Sequence, residues 1–443
     1  MKLRRYRGFV GFWLASTVSD FGTYITTVAL AVLIVVTMDG TAFDQGLVNA
    51  ARWAPYLMFG LLAGIWVDKF RRRTVLVAGD IGRGTVLILI GVLAIVGVLN
   101  MPGLMVAVFV MGTLALVSDA AFHSFIPQLV PRPLVTKANA RLEQSETVAQ
   151  TTGNAVAGAL VALVTAPIAL MVDALSYYFS AICLLVIKST YPDLEPPQEK
   201  QATVGKRIGE GLRWVYGHPT LGPMSVSTHI WFIGASMMGA VVPFLILRQL
   251  HLGALGLGLV LGCAGVGAVI GTTVSLRIGE RWGTGRTISI ARLVQPIGVA
   301  ALAAAPLISM AMTDNAAVTG EPYQSVLDWP PGLMLAAASA GFGQFLFGLA
   351  MGVESPLESG YRLAVTPDRL LARMIGTMRS FNRAMIVIGA PLGGLLAELL
   401  SVSIALWIAA AVMMLSALLL VCSKFWSARV EADQLNHAEA TAP

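Results

Sequence analysis

The sequence predicts an all-α membrane protein: 12 transmembrane helices in two six-helix halves, with both termini in the cytosol. Three observations carry this. The chain is 56% hydrophobic but only 12% charged. Its apolar residues fall into twelve runs, each long enough to cross a bilayer, and lysine and arginine gather in alternate turns between them. Soluble domains run at about 45–50% apolar and about 25% charged, so this composition places the chain in lipid.

Crossing a ~30 Å hydrocarbon core takes about 20 apolar helical residues. The runs are 9–38, 46–67, 74–99, 103–125, 142–164, 167–187, 221–247, 254–278, 287–312, 332–353, 374–400 and 402–425. The fifth and eleventh begin amphipathically. The first is too long for the apolar region of a cleavable signal peptide. The 45 glycines suit helices that approach closely in lipid.

With "MKLRRYR" in the cytosol, the cytosolic turns hold 24 of the 30 Lys and Arg residues, and the opposite side holds only Arg248. Arg52, Arg83, Arg292, Arg379 and Arg383 lie within helices. That bias sets the orientation. The outer loop 313–331 carries Asp314, Glu321 and Asp328 and no base. Residues 189–219 form the longest polar stretch. It starts as a proline-rich linker. "VGKRIGEGLRWVYG" then reads as an amphipathic helix with Ile208, Leu212 and Val215 on one face, expected on the membrane surface. The domain reading is therefore a half at 1–188, a linker at 189–220, a half at 221–426 and a flexible tail at 427–443.

Several function classes drop out. The net charge of +6 comes from residues spread over many turns, not from a basic domain, so nucleic acid is not the partner. Cys183, Cys263 and Cys422 are odd in number and lie in apolar runs, as packed free thiols do. No phosphate-binding loop occurs, so ATP bound to this chain is not the energy source. No catalytic triad or metal constellation stands out, so the chain reads as no enzyme and needs no cofactor.

The halves match in register. Asp68-Lys69-Phe70 after run two corresponds to Glu280-Arg281-Trp282 after run eight, at an offset of 212 residues. "VPRPL" before run five matches "TPDRL" before run eleven at an offset of 236, and "TGNAVAGALV" matches "IGAPLGGLLA" at the same offset. Six helices repeated in the same order indicate parallel repeats related by an axis along the membrane normal.

The turn "VDKFRRR" packs Asp68, Lys69, Arg71, Arg72 and Arg73 between two apolar runs. Here the chain resembles the major facilitator superfamily. That family's signature, G-x-x-x-[DE]-[RK]-x-G-[RK]-[RK], is matched by Gly64, Asp68, Lys69, Arg72 and Arg73, with Arg71 in place of the usual glycine. This departure, with "AGDIGRG", "IPQLVPRPLVTKANA", "VDALSYYFSA" and "GLRWVYGHP", resembles the branch of bacterial macrolide-efflux and enterobactin-type siderophore exporters. Gly153-Asn154 stands where the family's antiporter signature has Gly-Pro, while run eleven keeps Gly389-Ala390-Pro391. The arginine expected in run four of another drug-antiporter branch is absent.

The resemblance implies the major facilitator fold and a monomeric secondary-active exporter in the bacterial inner membrane. It would move amphipathic drugs or natural products, coupled to protons, by alternating access. A dedicated siderophore exporter, a lipid flippase and a non-transporting membrane sensor are the alternatives. It also implies that Asp68 locks a cytosolic gate, with Lys69, Arg72 and Arg73 beside it. A carboxylate against the positive N-terminus of helix eleven gains about 0.3–1 kcal/mol. Asp80, Arg83, Arg379 and Arg383 can extend that network, and Glu280 and Arg281 are its counterpart in the second half. The bland reading of the arginines is topology alone.

Charges within spans are costly and invite functional readings. Asp20 lies near the midplane, and Arg52 lies within about 6 Å of its height at 1.5 Å rise per residue. Asp20 is then either a proton or cation site or half of a static ion pair. His229 either titrates near neutral pH or packs through hydrogen bonds. Asp119 and His123, four residues apart, read as a gate contact or polar mouth. Asp173 reads as structural, and Glu354 and Glu358 as gate polarity. The resemblance puts helices one, four, seven and ten around the cavity, which makes Tyr24, Trp231, Met237, Met238, Gln344 and Phe345 candidate substrate contacts. Core packing is the competing reading for each.

Overall fold

The structure is a computed structural model that describes residues 3–67, 69–187, 204–312 and 329–429. Residues 313–328 of the expected outer loop and 189–203 of the linker lie outside these residues, as does Asp68. Thirteen α-helices follow in order, and no strand occurs among the described residues. They are α1 (Arg7–Val32), α2 (Ala42–Val67), α3 (Arg72–Val96), α4 (Met101–Leu129), α5 (Arg132–Val164), α6 (Ala166–Val186), α7 (Val204–Gly217), α8 (Leu221–Phe244), α9 (Gly253–Trp282), α10 (Thr284–Met312), α11 (Pro331–Val365), α12 (Asp368–Leu399) and α13 (Val402–Val421). Among the described residues, eleven helical stretches are long and apolar enough to cross a membrane. The protein is a multi-pass membrane protein. Cys183, Cys263 and Cys422 are free thiols.

The chain divides into two compact units. Unit 1 comprises Met1–Gly40, Ala50–Lys200 and Gly253–Gly262; unit 2 comprises Thr41–Asn49, Gln201–Leu252 and Cys263–Pro443. Within unit 1, α1 packs on α5 and α6, and α3 packs on α4 and α6. Within unit 2, α8 packs on α12 and α13, and α10 packs on α11 and α13. The second pattern is the first moved on by seven helices, as a repeat requires.

A local feature repeats at the same offset that the sequence motif shows. Both α1 and α8 end in a π-turn, Leu33–Thr37 and Leu245–Gln249. In the first, Met38 N–H donates to the Leu33 carbonyl at 2.8 Å, and in the second Leu250 N–H donates to Leu245 at 3.0 Å. The chain then turns through a left-handed residue, Asp39 (φ 53°) or His251 (φ 51°). Non-glycine residues seldom adopt this conformation, so its recurrence 212 positions apart marks a shared backbone.

Three helices run past their apolar sequence. α5 starts at Arg132 rather than residue 142, because Leu134, Ala138 and Leu142 pack into a core with Phe12, Phe125 and Leu129. α12 starts at Asp368 rather than residue 374. α11 continues to Val365 rather than ending at residue 353; its polar residues find partners inside unit 2, so polarity does not end the helix.

The amphipathic α7 forms, but its apolar face is covered by protein rather than spread on the membrane surface. Val215 is buried against Met374 and Met378 of α12, and Glu210 pairs with Arg373. Leu212 is half-buried; the Ile208 side chain lies outside the described residues. The start of the expected tail is docked as well: Gly285 N–H donates to the Ala428 carbonyl at 3.0 Å, just past Phe425, which is fully buried beside Tyr361.

Candidate functional site

A polar cluster lies inside unit 2, where α10 and α11 run backbone to backbone. A Cβ on Gly298 would stand 2.5 Å from the Gly343 carbonyl oxygen, and a Cβ on Gly343 would stand 2.4 Å from that of Gly298. This approach lets Arg292 of α10, only 1% exposed, reach across to α11. Its guanidinium pairs with Glu354 and, at 3.3 Å, with Glu358. It also donates to Ser227 at 2.8 Å and Thr228 at 3.2 Å on α8. Arg362, one turn after Glu358, pairs with Glu358 from the other side. Buried Arg292 and half-buried Arg362 thus balance the two buried carboxylates. Burying each ion costs several kcal/mol before pairing repays it.

An uncharged arm extends from this cluster. Gln295 donates from Nε2 to Glu354 Oε2 at 2.8 Å, and its Oε1 accepts from the Trp231 indole N–H. Trp231 stacks parallel to Phe347, with centroids 6.2 Å apart and 10° between planes, and meets Phe232 edge-on. A cavity of about 180 Å³ opens here, with Trp231, Phe232 and Met351 on its apolar side and Glu354, Ser355 and Asn382 on its polar side. Asn382 also orients His229: its Oδ1 lies 2.8 Å from Nδ1, and Tyr216 Oη lies 2.7 Å from Nε2. The amide oxygen accepts, so Nδ1 carries the proton and the phenol donates to Nε2.

Unit 1 holds smaller polar groups. Asp80 pairs with Arg83 at 2.5 Å and accepts from Ser180 at 2.6 Å, and the Arg83 guanidinium lies 4.5 Å over the Tyr177 ring. Asp173, fully buried on α6, accepts from Thr26 of α1 and from Ser176 at 2.7 Å. Tyr56 of α2 donates to Asp119 of α4 at 2.7 Å. Asp20 is half-buried on α1, hydrogen-bonded to Ser16, with Glu146 of α5 as its acidic neighbour.

Polar clusters of this kind inside paired six-helix packings fit a membrane carrier, and the family comparison decides the matter. Residues 4–320 match the family model described as transmembrane secretion effector. The chain belongs to the major facilitator superfamily. A curated relative is the uncharacterized MFS-type transporter YfiS of Bacillus subtilis (strain 168), 22% identical over 220 residues. That match covers 49% of this chain, which spans about half the relative's length, 51%. Solved structures share the fold. A bacterial homologue of the iron transporter ferroportin superposes with a TM-score of 0.69 at 14% identity, covering 97% of this chain and all of that one. The nucleoside transporter NupG gives 0.69 at 11% identity, again over 97% of this chain and 100% of that chain. The xylose transporter XylE from E. coli gives 0.66 at 12%, over 97% and 99%. The relative and the solved structures are described as transporters.

The expected site residues of this facilitator separate into groups. Asp20 and Arg52 do not pair in the structure. α1 turns Asp20 towards α5, whereas α2 lies with the Arg52 carbonyl against α4 at Gly112, and the Arg52 guanidinium stands 5.7 Å over Trp53. Met237 (0% exposed), Gln344 (3%) and Met238 (7%) are buried in the structure. α8 meets α12 so closely that a Cβ on Gly393 would fall 2.5 Å from the Met237 Cα. Trp231 does line a cavity. Tyr24 and Phe345 are half-buried, and the Tyr24 ring fills the space beside Gly153, where a Cβ would meet it at 2.9 Å.

The residues expected at the gate are likewise dispersed. Asp80 and Arg83 face α6 within unit 1, because Ser180 and Tyr177 supply the partners there. Arg73 donates to the carbonyls of Leu184, at 2.7 Å, and Leu185. It caps the C-terminus of α6, whose last carbonyls have no helical partner. Arg72 donates to the Val67 carbonyl. Lys69, Glu280, Arg281 and Arg379 are exposed, and Arg383 is half-buried. The His123 side chain lies outside the described residues. Sequence reading missed Arg292, Gln295, Arg362 and Asn382. A signal existed: Glu354, Glu358 and Arg362 recur every four residues on one helix face, and Arg292 and Gln295 share a face of α10.

Proposed function

We propose that this facilitator is a proton-coupled exporter of amphipathic drugs or natural products across the bacterial inner membrane, with both termini cytosolic. The observation that carries the coupling is Asp20 on α1 with Glu146 as its neighbour. Glu146 is exposed on α5, so the coupled proton is assigned to the half-buried Asp20, whose repulsion from that acidic neighbour a proton removes. A membrane-embedded acid of this kind can load a proton from one side and release it to the other as access alternates. The secretion-effector family supports outward movement. Asp68, with Lys69, Arg72 and Arg73 in its turn, serves as the cytosolic gate. Glu280 and Arg281 repeat that turn in the second half.

The experiment is a panel of amphipathic compounds in proteoliposomes under an imposed pH gradient. Accumulation against the compound's own gradient, abolished by a protonophore, is the expected result. Transport that ignores the pH gradient for every compound would remove the coupling.

A further inference from the structure

We propose that Gln295 is a positioning residue for cargo recognition. It holds the Trp231 indole as the ring-stacking wall of the cavity in unit 2 and ties that wall to the buried charge cluster. The proposal names the cargo's recognised part, a planar aromatic ring with a polar edge, and it rests on the export reading above.

Gln295 is 0% exposed and is not among the residues that line the cavity, so it cannot touch a cargo itself. Its amide has only one satisfying orientation. The indole N–H is a donor with no acceptor, and an ionised carboxylate is an acceptor with no donor. Oε1 must therefore face Trp231 and Nε2 must face Glu354, as they do. Glu354 is fixed in turn by Arg292. Phe347 backs one face of the indole. Both the tilt and the depth of Trp231 are thus set by groups that lie behind it.

The cavity's size and chemistry point to the occupant. At about 180 Å³ it is on the scale of the roughly 150 Å³ cavity that holds a benzene ring in another protein. Binding sites for whole drug-sized molecules run to about 300–1,000 Å³. It therefore admits one ring of a larger molecule. The two arginines and two glutamates beside it cancel, which favours a neutral ring. Ser355, Ser359 and Asn382 offer hydrogen bonds to a polar edge, while Trp231, Phe232 and Met351 offer apolar faces. Aromatic stacking adds about 0.5–1.5 kcal/mol beyond area burial, and it is realised only if the indole holds its angle.

The test uses the full chain in nanodiscs, with 7-hydroxycoumarin as the probe, at a mildly acidic pH that keeps its phenol neutral: a planar, phenolic and fluorescent ring. Binding is read at equilibrium by fluorescence anisotropy with no ion gradient, so loss of proton coupling leaves this measurement intact. Wild type binds, Trp231→Leu abolishes most of the binding, and Gln295→Met weakens it roughly tenfold. In the Trp231→Leu background, Gln295→Met adds no further loss. Trp231→Phe keeps a ring but removes the N–H; it weakens binding as Gln295→Met does and stands in for it if that variant fails to fold. No binding to wild type, an unchanged affinity in Gln295→Met or Trp231→Phe, or an equal Gln295→Met effect with and without Trp231 would each overturn the proposal.

Discussion

Replacing Arg292 with methionine should be among the most destabilising single changes in unit 2. Arg292 is 1% exposed, pairs with Glu354 and Glu358, and donates to Ser227 and Thr228. Methionine keeps much of the side-chain volume and removes all four contacts. Glu354 is then left with Gln295 alone, while Glu358 retains Arg362 and Thr228. Leaving a buried charge unmatched costs about 3–5 kcal/mol, a large share of the roughly 5–15 kcal/mol that holds a typical fold together. Removing both signs should cost far less, because replacing a buried pair with neutral groups is often near neutral. Arg292→Met with Glu354→Gln should therefore melt well above Arg292→Met alone. The assay is thermal unfolding in detergent at one scan rate, with the exposed-side change Glu210→Gln as a control. If Arg292→Met melts with the control, or the double variant melts as low as the single, charge balance is not what the cluster contributes.

Other changes test particular contacts. Gly22→Ala would place a Cβ 1.8 Å from Asp173 Oδ1, forcing α1 from α6; a loss of about 1–3 kcal/mol is expected, and an unchanged melting temperature would contradict the packing. Gly153→Ala should disturb Tyr24, whose ring lies 2.9 Å from the new Cβ, and Tyr24→Ala should restore the melting temperature; absence of rescue would show that Tyr24 is not the obstacle. Arg73→Met should increase hydrogen exchange in the last turn of α6, where two carbonyls lose their donor, at a cost of about 0.5–1.5 kcal/mol per bond. Unchanged exchange at 184–187 would assign Arg73 another role.

Much of the helical fold was legible because hydropathy reports directly on the bilayer. The twelve runs correspond to helices, and the 212-residue offset read from Asp68 and Glu280 recurs in the two π-turns. Hydropathy hid the cluster around Arg292 for a physical reason, although the four-residue spacing of its charges was visible. A hydropathy pattern treats Glu354 and Glu358 as the end of a span, whereas α11 continues because Arg292 and Arg362 neutralise them across helices. Composition also cannot separate a methionine that lines a cavity from one that packs, and Met237 and Met238 are buried. Asp20 and Arg52 stand apart in this structure because equal height on two helices says nothing about the rotation of either. Gln295 carried no signal on its own; its importance lies in having Trp231 at one end and Glu354 at the other.

The central claim is that Asp20 carries the coupled proton, and Asp20→Asn in proteoliposomes tests it most directly. Asparagine keeps the size and the hydrogen bonding but cannot take up or release a proton. Transport of a compound exported by the wild type is measured twice: uphill under an imposed pH gradient, and as exchange of that compound across the membrane with no gradient. The account predicts that uphill export fails while exchange persists near the wild-type rate. Uphill export that survives in Asp20→Asn would contradict it.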